Sequence, residues 1–338
     1  MKYKILVCID YDKDSGLGHV SRSRAFLEAL SCFEVEVFFS SNFNPIELEP
    51  QIEFLRGVMW ISPQTAAKMS FDLLYIDTYN LSVLDEISEW AIKSKVLVLD
   101  SNFTRDLPNW ADFIIDLECS NARNKGFEGR YVFGDISVHS ELELAKENRR
   151  NVSERLVNNS NLTALVNFGG SIKAEQYTKE LLKTFFQNKN IIYIVYCPHE
   201  LLETLASYIP CNNVRIKPFS PRYFEDLTTC DFLVTSSGTS FIEGLFVEIP
   251  MVVFNLFTNA KKNFERLAHI DLVLYSGTPP DIPTEWQEKV VEMLRSRKRI
   301  QQKNSSEEKA IRIVEKDTLV SEISILLGIE DIVRETSN

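Results

Sequence analysis

The sequence predicts an α/β protein made of two doubly wound domains that face a central cleft. Three observations predict it. Short β-branched and aromatic runs alternate with longer helical patterns, the order of βαβ units. The strand-like runs are apolar on consecutive positions, which suits parallel strands covered on both faces. The alternation breaks at the charge-rich stretch ELELAKENRRNVSERLVNNSN, residues 141–161, and then restarts. At 338 residues the chain is too long for one comfortable core and suits two domains. The break places them at residues 1–150 and 151–338.

In the first half, KILVCI (4–9) reads as a strand and SRSRAFLEAL (21–30) as a helix. EVEVFFS (34–40) and FDLLYID (71–77) follow as strands, LSVLDEISEWAIKS (81–94) as a helix, and KVLVLD (95–100) and ADFIID (111–116) as strands. In the second half, LTALVNFGG (162–170) is a strand with a glycine turn, and AEQYTKELLKTFFQ (174–187) a helix. NIIYIVYCP (190–198), NVRIKPF (213–219), DFLVTSSG (231–238), PMVVFNLF (250–257) and LVLYS (272–276) read as strands. HELLETLASYI, PRYFEDLTTC, SFIEGLFVEI and AKKNFERLAHI read as the helices between them, and 283–302 and 309–329 as closing helices. The tail VRETSN is polar.

Composition excludes several classes. Apolar residues make up 44% and charged residues 25%, ordinary for a globular protein. A net charge of −11, from 37 basic and 48 acidic residues, argues against nucleic acid as a partner. None of the six cysteines forms a C-x-x-C pair and no histidines have metal-ligand spacing, so thiols in a reducing cytoplasm are expected and no metal. The N-terminus carries Asp10 and Asp12 after a short apolar run, unlike a signal peptide. No stretch reaches the roughly 18 apolar residues of a membrane span. The expected protein is cytoplasmic, with a small-molecule substrate and no cofactor.

The candidate chemistry sits at strand ends, where open α/β sheets bind ligands. Gly16-Leu17-Gly18-His19 follows the first strand and opens a helix, with Arg22 one turn on. The glycines fit either a tight turn or an anion cradle. The third glycine of the dinucleotide fingerprint is absent and no acidic residue closes EVEVFFS, which argues against a nicotinamide cofactor. His19 fits a general acid or base, or a structural cap. Asp10, Asp77 and Asp100 each end a strand, and fit either a polar rim around His19 or turn and capping roles. In the second half, Asn167-Phe168-Gly169-Gly170-Ser171 closes one strand. Ser236-Ser237-Gly238-Thr239-Ser240 closes another and opens a helix, a composition suited to a pyrophosphate. Glu243 fits an acceptor for vicinal ribose hydroxyls or a carboxylate serving the helix dipole. Asn255 and Asn259 reach the same rim. No Walker lysine and no G-x-S-x-G elbow occurs.

Taken in order, G-x-G-H-x-x-R, D-x-Y, VLVLDSNFTRDLPNWADFIID, LVNFGGS and SSGTSFIEG…IPMVVFNLFTN resemble one family over about residues 3–275. It is the family of hydrolases that cleave UDP-2,4-diacetamido-2,4,6-trideoxy-β-L-altropyranose in the pseudaminic acid pathway, which supplies cell-surface glycans. That family is similar in fold to MurG-type glycosyltransferases, the GT-B fold. The resemblance implies metal-independent attack of water on the anomeric carbon of a UDP-sugar, releasing UDP and an inverted free sugar. It implies that His19 is the catalytic histidine and Asp10 the acidic residue preceding it. Asp77 and Tyr79 match the D-x-Y pair, on the sugar side with Gly16, Gly18 and Arg22. Gly169, Gly170, Ser237, Gly238, Thr239, Glu243 and Asn259 match the nucleotide-binding positions. The chain departs from the family at Cys8 (usually arginine), at Ser21 (methionine in the usual Val-Met-Arg), at Thr78 (usually histidine), at Ala260 (usually glutamine) and at residues 137–142, where His139 stands for an arginine. These departures fall mostly in the first domain and bear on the sugar more than the nucleotide. A glycosyltransferase, with His19 deprotonating an acceptor hydroxyl, is the alternative, and fold does not separate the two. RNKGFEGR (123–130) is the one basic stretch that hints at such an acceptor.

Overall fold

The computed structural model describes residues 2–9, 18–40, 58–78, 93–100, 111–116, 130–134, 136, 138–152, 162–170, 172–185, 188–208, 212–256, 270, 272–277, 286–297 and 314–329. The chain forms two compact units, Met1–His139 with Arg312–Asn338, and Ser140–Ile311. This division differs from the sequence boundary at 150 in two places. The helix read as the interdomain stretch opens the second unit, and the last helix returns to the first.

The first unit holds β1 (Tyr3–Ile9), α1 (Gly18–Leu30), β2 (Val35–Ser40), β3 (Met59–Trp60), α2 (Pro63–Ala66), β4 (Leu73–Asp77), β5 (Lys95–Asp100), β6 (Phe113–Asp116) and β7 (Arg130–Phe133). The strands form one sheet in the order β3-β2-β1-β4-β5-β6-β7, every pairing parallel. Alternation along each strand explains the continuous apolar runs. Ile5, Val7 and Ile9 of β1 face one core with Tyr75 and Leu97. Leu6 and Cys8 face the other with Leu74, Ile76 and Val98. On the first face α1 contributes Val20, Phe26 and Leu30, and the Phe26 ring stacks on Tyr75 at 4.2 Å.

The second unit holds α3 (Ser140–Val152), β8 (Leu162–Asn167), α4 (Ile172–Phe185), β9 (Ile191–Cys197), α5 (Leu202–Ala206), β10 (Val214–Pro218), α6 (Arg222–Thr229), β11 (Phe232–Ser236), α7 (Thr239–Phe246), β12 (Met251–Phe254), β13 (Val273–Gly277) and α8 (Trp286–Arg297). Its parallel sheet runs β10-β9-β8-β11-β12-β13. Trp286, Val290 and Leu294 of α8 cover the face formed by Val166, Val195, Val234 and Phe254. The last helix, α9 (Lys316–Leu327), packs on α1 and inserts Leu319, Val320 and Ile323 into the core of the first unit. Its apolar periodicity is legible in the sequence, but the surface it covers is not. Among the described residues no helix is long and apolar enough to cross a membrane.

Both sheets share the 3-2-1-4-5-6 strand order of a doubly wound fold. Strand order reverses between β1 and β4 in one unit and between β8 and β11 in the other. Connections leave in opposite directions there, which opens a crevice at the carboxyl ends of those strands.

The opposite edge of the sheets is held by a repeated device. An aspartate precedes β4, β6 and β11, and its carboxylate takes an N–H from the neighbouring strand. Asp72 accepts from Lys4 N (2.7 Å), Asp112 from Val96 N (2.9 Å) and Asp231 from Thr163 N (2.7 Å). Charge-assisted bonds of this kind outweigh neutral ones. Asp231→Ala leaves the Thr163 N–H without that acceptor and is expected to cost about 1–3 kcal/mol in urea unfolding. Unchanged stability would contradict a structural role for these aspartates.

Candidate functional site

Helix α1 starts earlier than the sequence suggested, at Gly18, and this puts His19 inside its first turn. His19 and Arg22 are then three residues apart on one helical face. Parallel pairing sets Ile9 of β1 beside Asp77 of β4, so the first turn after β1 meets the end of β4 across the reversal of strand order. His19, Arg22 and Asp77 come together there, all buried.

The geometry of this cluster is specific. His19 Nδ1 lies 2.7 Å from Asp77 Oδ1 and 2.9 Å from the Asp77 carbonyl oxygen. Both are acceptors, so in the neutral ring Nδ1 carries the hydrogen and Nε2 keeps the lone pair. Arg22 grips the same carboxylate with a fork, Nε to Oδ2 at 3.0 Å and Nη2 to Oδ1 at 2.8 Å. Burial pushes the Asp77 carboxyl up, but Arg22 and His19 overcome this by charge and hydrogen bonding and hold it well below the usual carboxylate range. The sequence reading gave Asp10, Asp77 and Asp100 as candidates for a polar rim around His19, and the resemblance put Asp77 and Arg22 on the sugar side. In the structure Asp77 orients His19, and Arg22 fixes Asp77. Nη2 of Arg22 also lies 3.2 Å from His19 Nδ1. With Nδ1 carrying its hydrogen, two donors face each other there, and both converge on Asp77 Oδ1.

The second unit builds an analogous arrangement at its own reversal point. Gly169, after β8, has φ +85°, a conformation that favours glycine. Its N–H donates to Asn167 Oδ1 at 2.9 Å, and Asn167 Nδ2 donates to Ser240 Oγ at 2.8 Å. Asn167 thus ties the glycine turn after β8 to the first turn of α7 after β11. Gly238 is the N-cap of α7 and, as a glycine, brings no side chain of its own to cap the helix. The buried Ser237 Oγ, just before it, has no hydrogen-bond partner among the described residues, and neither does Asn255 Oδ1 at the end of the adjacent strand β12. A glycine turn, a helix N-terminus and an unpaired serine hydroxyl, which can donate, together suit an anionic ligand. Gly244 lets α7 sit close on the sheet: a Cβ there would meet Met251 Sδ at 2.5 Å and Leu233 Cδ2 at 2.8 Å.

Of the two readings of Glu243, helix capping is removed. Glu243 is the fifth residue of α7, beyond the first turn, and is buried. Its Oε2 accepts a hydrogen bond from Tyr223 Oη at 3.0 Å. The sequence reading did not single out Tyr223, because it lies on α6, which carries no motif.

Gly170 and Thr239 stand at the glycine turn and at the first position of α7. Asp10, Gly16, Tyr79 and Asn259 lie outside the described residues, as does RNKGFEG, and nothing described concerns the Asp100 side chain. His139 is buried, and burial with the nearby Arg24 pushes it down to about 3.

No protein-family model matches the chain. An uncharacterized protein of Methanocaldococcus jannaschii is 23% identical over 277 residues, 74% of this chain and 55% of that protein. The chain therefore spans about half the length of that relative. Similar solved structures include MurG of Acinetobacter baumannii, with TM-score 0.58, 14% identity and coverage of 95% and 99% of the two chains. HepE of Anabaena in complex with UDP-glucose gives 0.52, 15% identity and 99% coverage of each. The spinosyn rhamnosyltransferase SpnG complexed with thymidine diphosphate gives 0.54, 12% identity and 100% of each. At these identities the likeness is one of fold. The chain has the GT-B type of architecture, two Rossmann-like parallel-sheet units with flanking helices.

The buried histidine generates a pH prediction. As pH falls below 6.5, the ordinary value, the unfolded chain protonates His139 while the native state refuses the proton down to about 3. Each pH unit in that window removes about 1.4 kcal/mol of stability per proton. Urea unfolding between pH 7.5 and 4.5 should show a steeper loss in the parent than in His139→Gln. Equal slopes would contradict it.

Proposed function

We propose that the chain is an enzyme that cleaves the anomeric C–O bond of a nucleotide-sugar, with UDP leaving and water attacking. The observation that carries this reading is the bond from His19 Nδ1 to Asp77 Oδ1, 2.7 Å long. It holds the ring in the tautomer whose Nε2 accepts a proton. Water attacks the anomeric carbon as His19 Nε2 takes its proton, and the C–O bond electrons leave with the β-phosphate oxygen. The products are UDP and a free sugar of inverted configuration. Positive charge spreads over the ring in the transition state, and negative charge grows on the leaving diphosphate.

In this reading the second unit receives the nucleotide. The Gly169-Gly170 turn and the Ser237-Gly238-Thr239 end of α7 bind the diphosphate, and Glu243 takes the ribose hydroxyls. Asn259 completes the nucleotide contacts, and Gly16, Gly18 and Tyr79 shape the sugar side in the first unit. The order of the motifs, matching the pseudaminic acid pathway hydrolases, supports water as the nucleophile. A second reading has its own support, because the structural neighbours are glycosyltransferases and their complexes hold UDP-glucose, UDP or thymidine diphosphate. In it the same His19 deprotonates an acceptor hydroxyl.

Release of UDP from a panel of UDP-sugars without acceptor separates the two. The hydrolase reading expects release from a 2,4-diacetamido-trideoxy sugar. Clear UDP binding with no release would favour transfer. His19→Ala and Asp77→Asn are each expected to lower kcat by about 10²–10⁴-fold while UDP affinity stays within about twofold. Turnover equal to the parent in His19→Ala would remove the catalytic role.

A further inference from the structure

We propose that Tyr223 is a positioning residue that sets the recognition of ribose against deoxyribose by holding the Glu243 carboxylate. The proposal rests on the nucleotide reading above and adds a residue and a specificity to it.

Tyr223 and Glu243 are both buried, about 95% or more. Burying a carboxylate is costly unless hydrogen bonds compensate. Tyr223 Oη donates to Glu243 Oε2 at 3.0 Å, and burial and the Glu243 charge push the phenol well above its ordinary value. The phenol therefore stays protonated and keeps donating. Asn167 and Ser240 lie near the same phenol. Asn167 in turn holds the Gly169 N–H, and its bond to Ser240 reaches the first turn of α7. The phenol thus holds the carboxylate near the Asn167–Ser240 bond that ties the glycine turn to the helix N-terminus.

The ring is held in place independently. It packs edge-on against Tyr196 at 5.3 Å and against Phe224 at 5.1 Å. Tyr196 Oη donates to Asp226 Oδ2 at 2.8 Å, which anchors α6 to β9. Arg149 of α3 donates to the Cys230 and Thr228 carbonyls at 2.8 and 3.2 Å, closing the far end of α6. With α6 fixed at both places, the phenol sets where the Glu243 carboxylate points. A carboxylate in a fixed orientation can accept from two vicinal hydroxyls, whereas a rotating one discriminates less. The substrate class is then a ribonucleoside diphosphate sugar, with deoxyribonucleotides rejected.

The test is calorimetric binding of UDP and 2′-deoxy-UDP to the full chain, its Tyr223→Phe variant and its Glu243→Gln variant. Phenylalanine keeps both ring contacts. The parent is expected to prefer UDP by about tenfold or more, the worth of a hydrogen bond to a charged group. Tyr223→Phe is expected to lose most of that ratio chiefly by weakening UDP, and Glu243→Gln to lose it as well. The double variant should add little further, since the two residues act as one unit. A merely structural tyrosine would weaken both nucleotides alike and leave the ratio intact, and that result overturns the proposal. A parent that binds neither nucleotide overturns the nucleotide reading and this proposal with it. A parent that binds both equally leaves the nucleotide reading standing and overturns the role of the Tyr223–Glu243 pair.

Discussion

A doubly wound parallel sheet must reverse its strand order once, and the two strands at that reversal end without a connection crossing over them. The polar clusters described above are arranged around that constraint, twice. In the first unit β1 hands over to the helix that carries His19, and β4 delivers Asp77. In the second unit β8 hands over to the Gly169-Gly170 turn, and β11 to the Ser237-Gly238-Thr239 start of a helix. Side-chain bonds span each reversal: His19 and Arg22 to Asp77 in one, Asn167 to Ser240 in the other. The polar groups gather where backbone ends are open, and the apolar alternation of the strands below supplies a rigid support on both faces.

The Asp77 carboxylate that orients His19 does not serve it alone. Here the same carboxylate is shared with a guanidinium fork, so part of its charge is already balanced. The result is an aspartate that stays ionised and fixes the ring through Nδ1. Asp72, Asp112 and Asp231 make a useful contrast with Glu243. They lie at or near the opposite strand ends and spend their carboxylates on backbone N–H groups of neighbouring strands, a structural use of the same chemistry.

The sequence carried the fold well because both faces of each sheet are buried, which makes continuous apolar runs that cannot be amphipathic surface strands. The edge strands β3 and β7 were not legible, since two to four residues without periodicity give no signal. The return of α9 to the first unit was not legible either, because periodicity reports an apolar face and not its partner. At the site, glycines next to strand ends located His19, Gly169 and Gly238 directly. Which strand-end aspartate meets His19 was not legible, because adjacency of β1 and β4 is a property of strand order. Tyr223 and Asn167 acquire their roles through bonds between elements, which residue types alone do not announce.

The most direct measurement is to run the reaction in H₂¹⁸O with a UDP-sugar and no acceptor, and to locate the label by mass spectrometry. Water attack at the anomeric carbon predicts ¹⁸O on the free sugar and none on UDP. Label on the UDP phosphate would mean attack at phosphorus, and it would contradict the assignment of His19 as the base acting at the sugar.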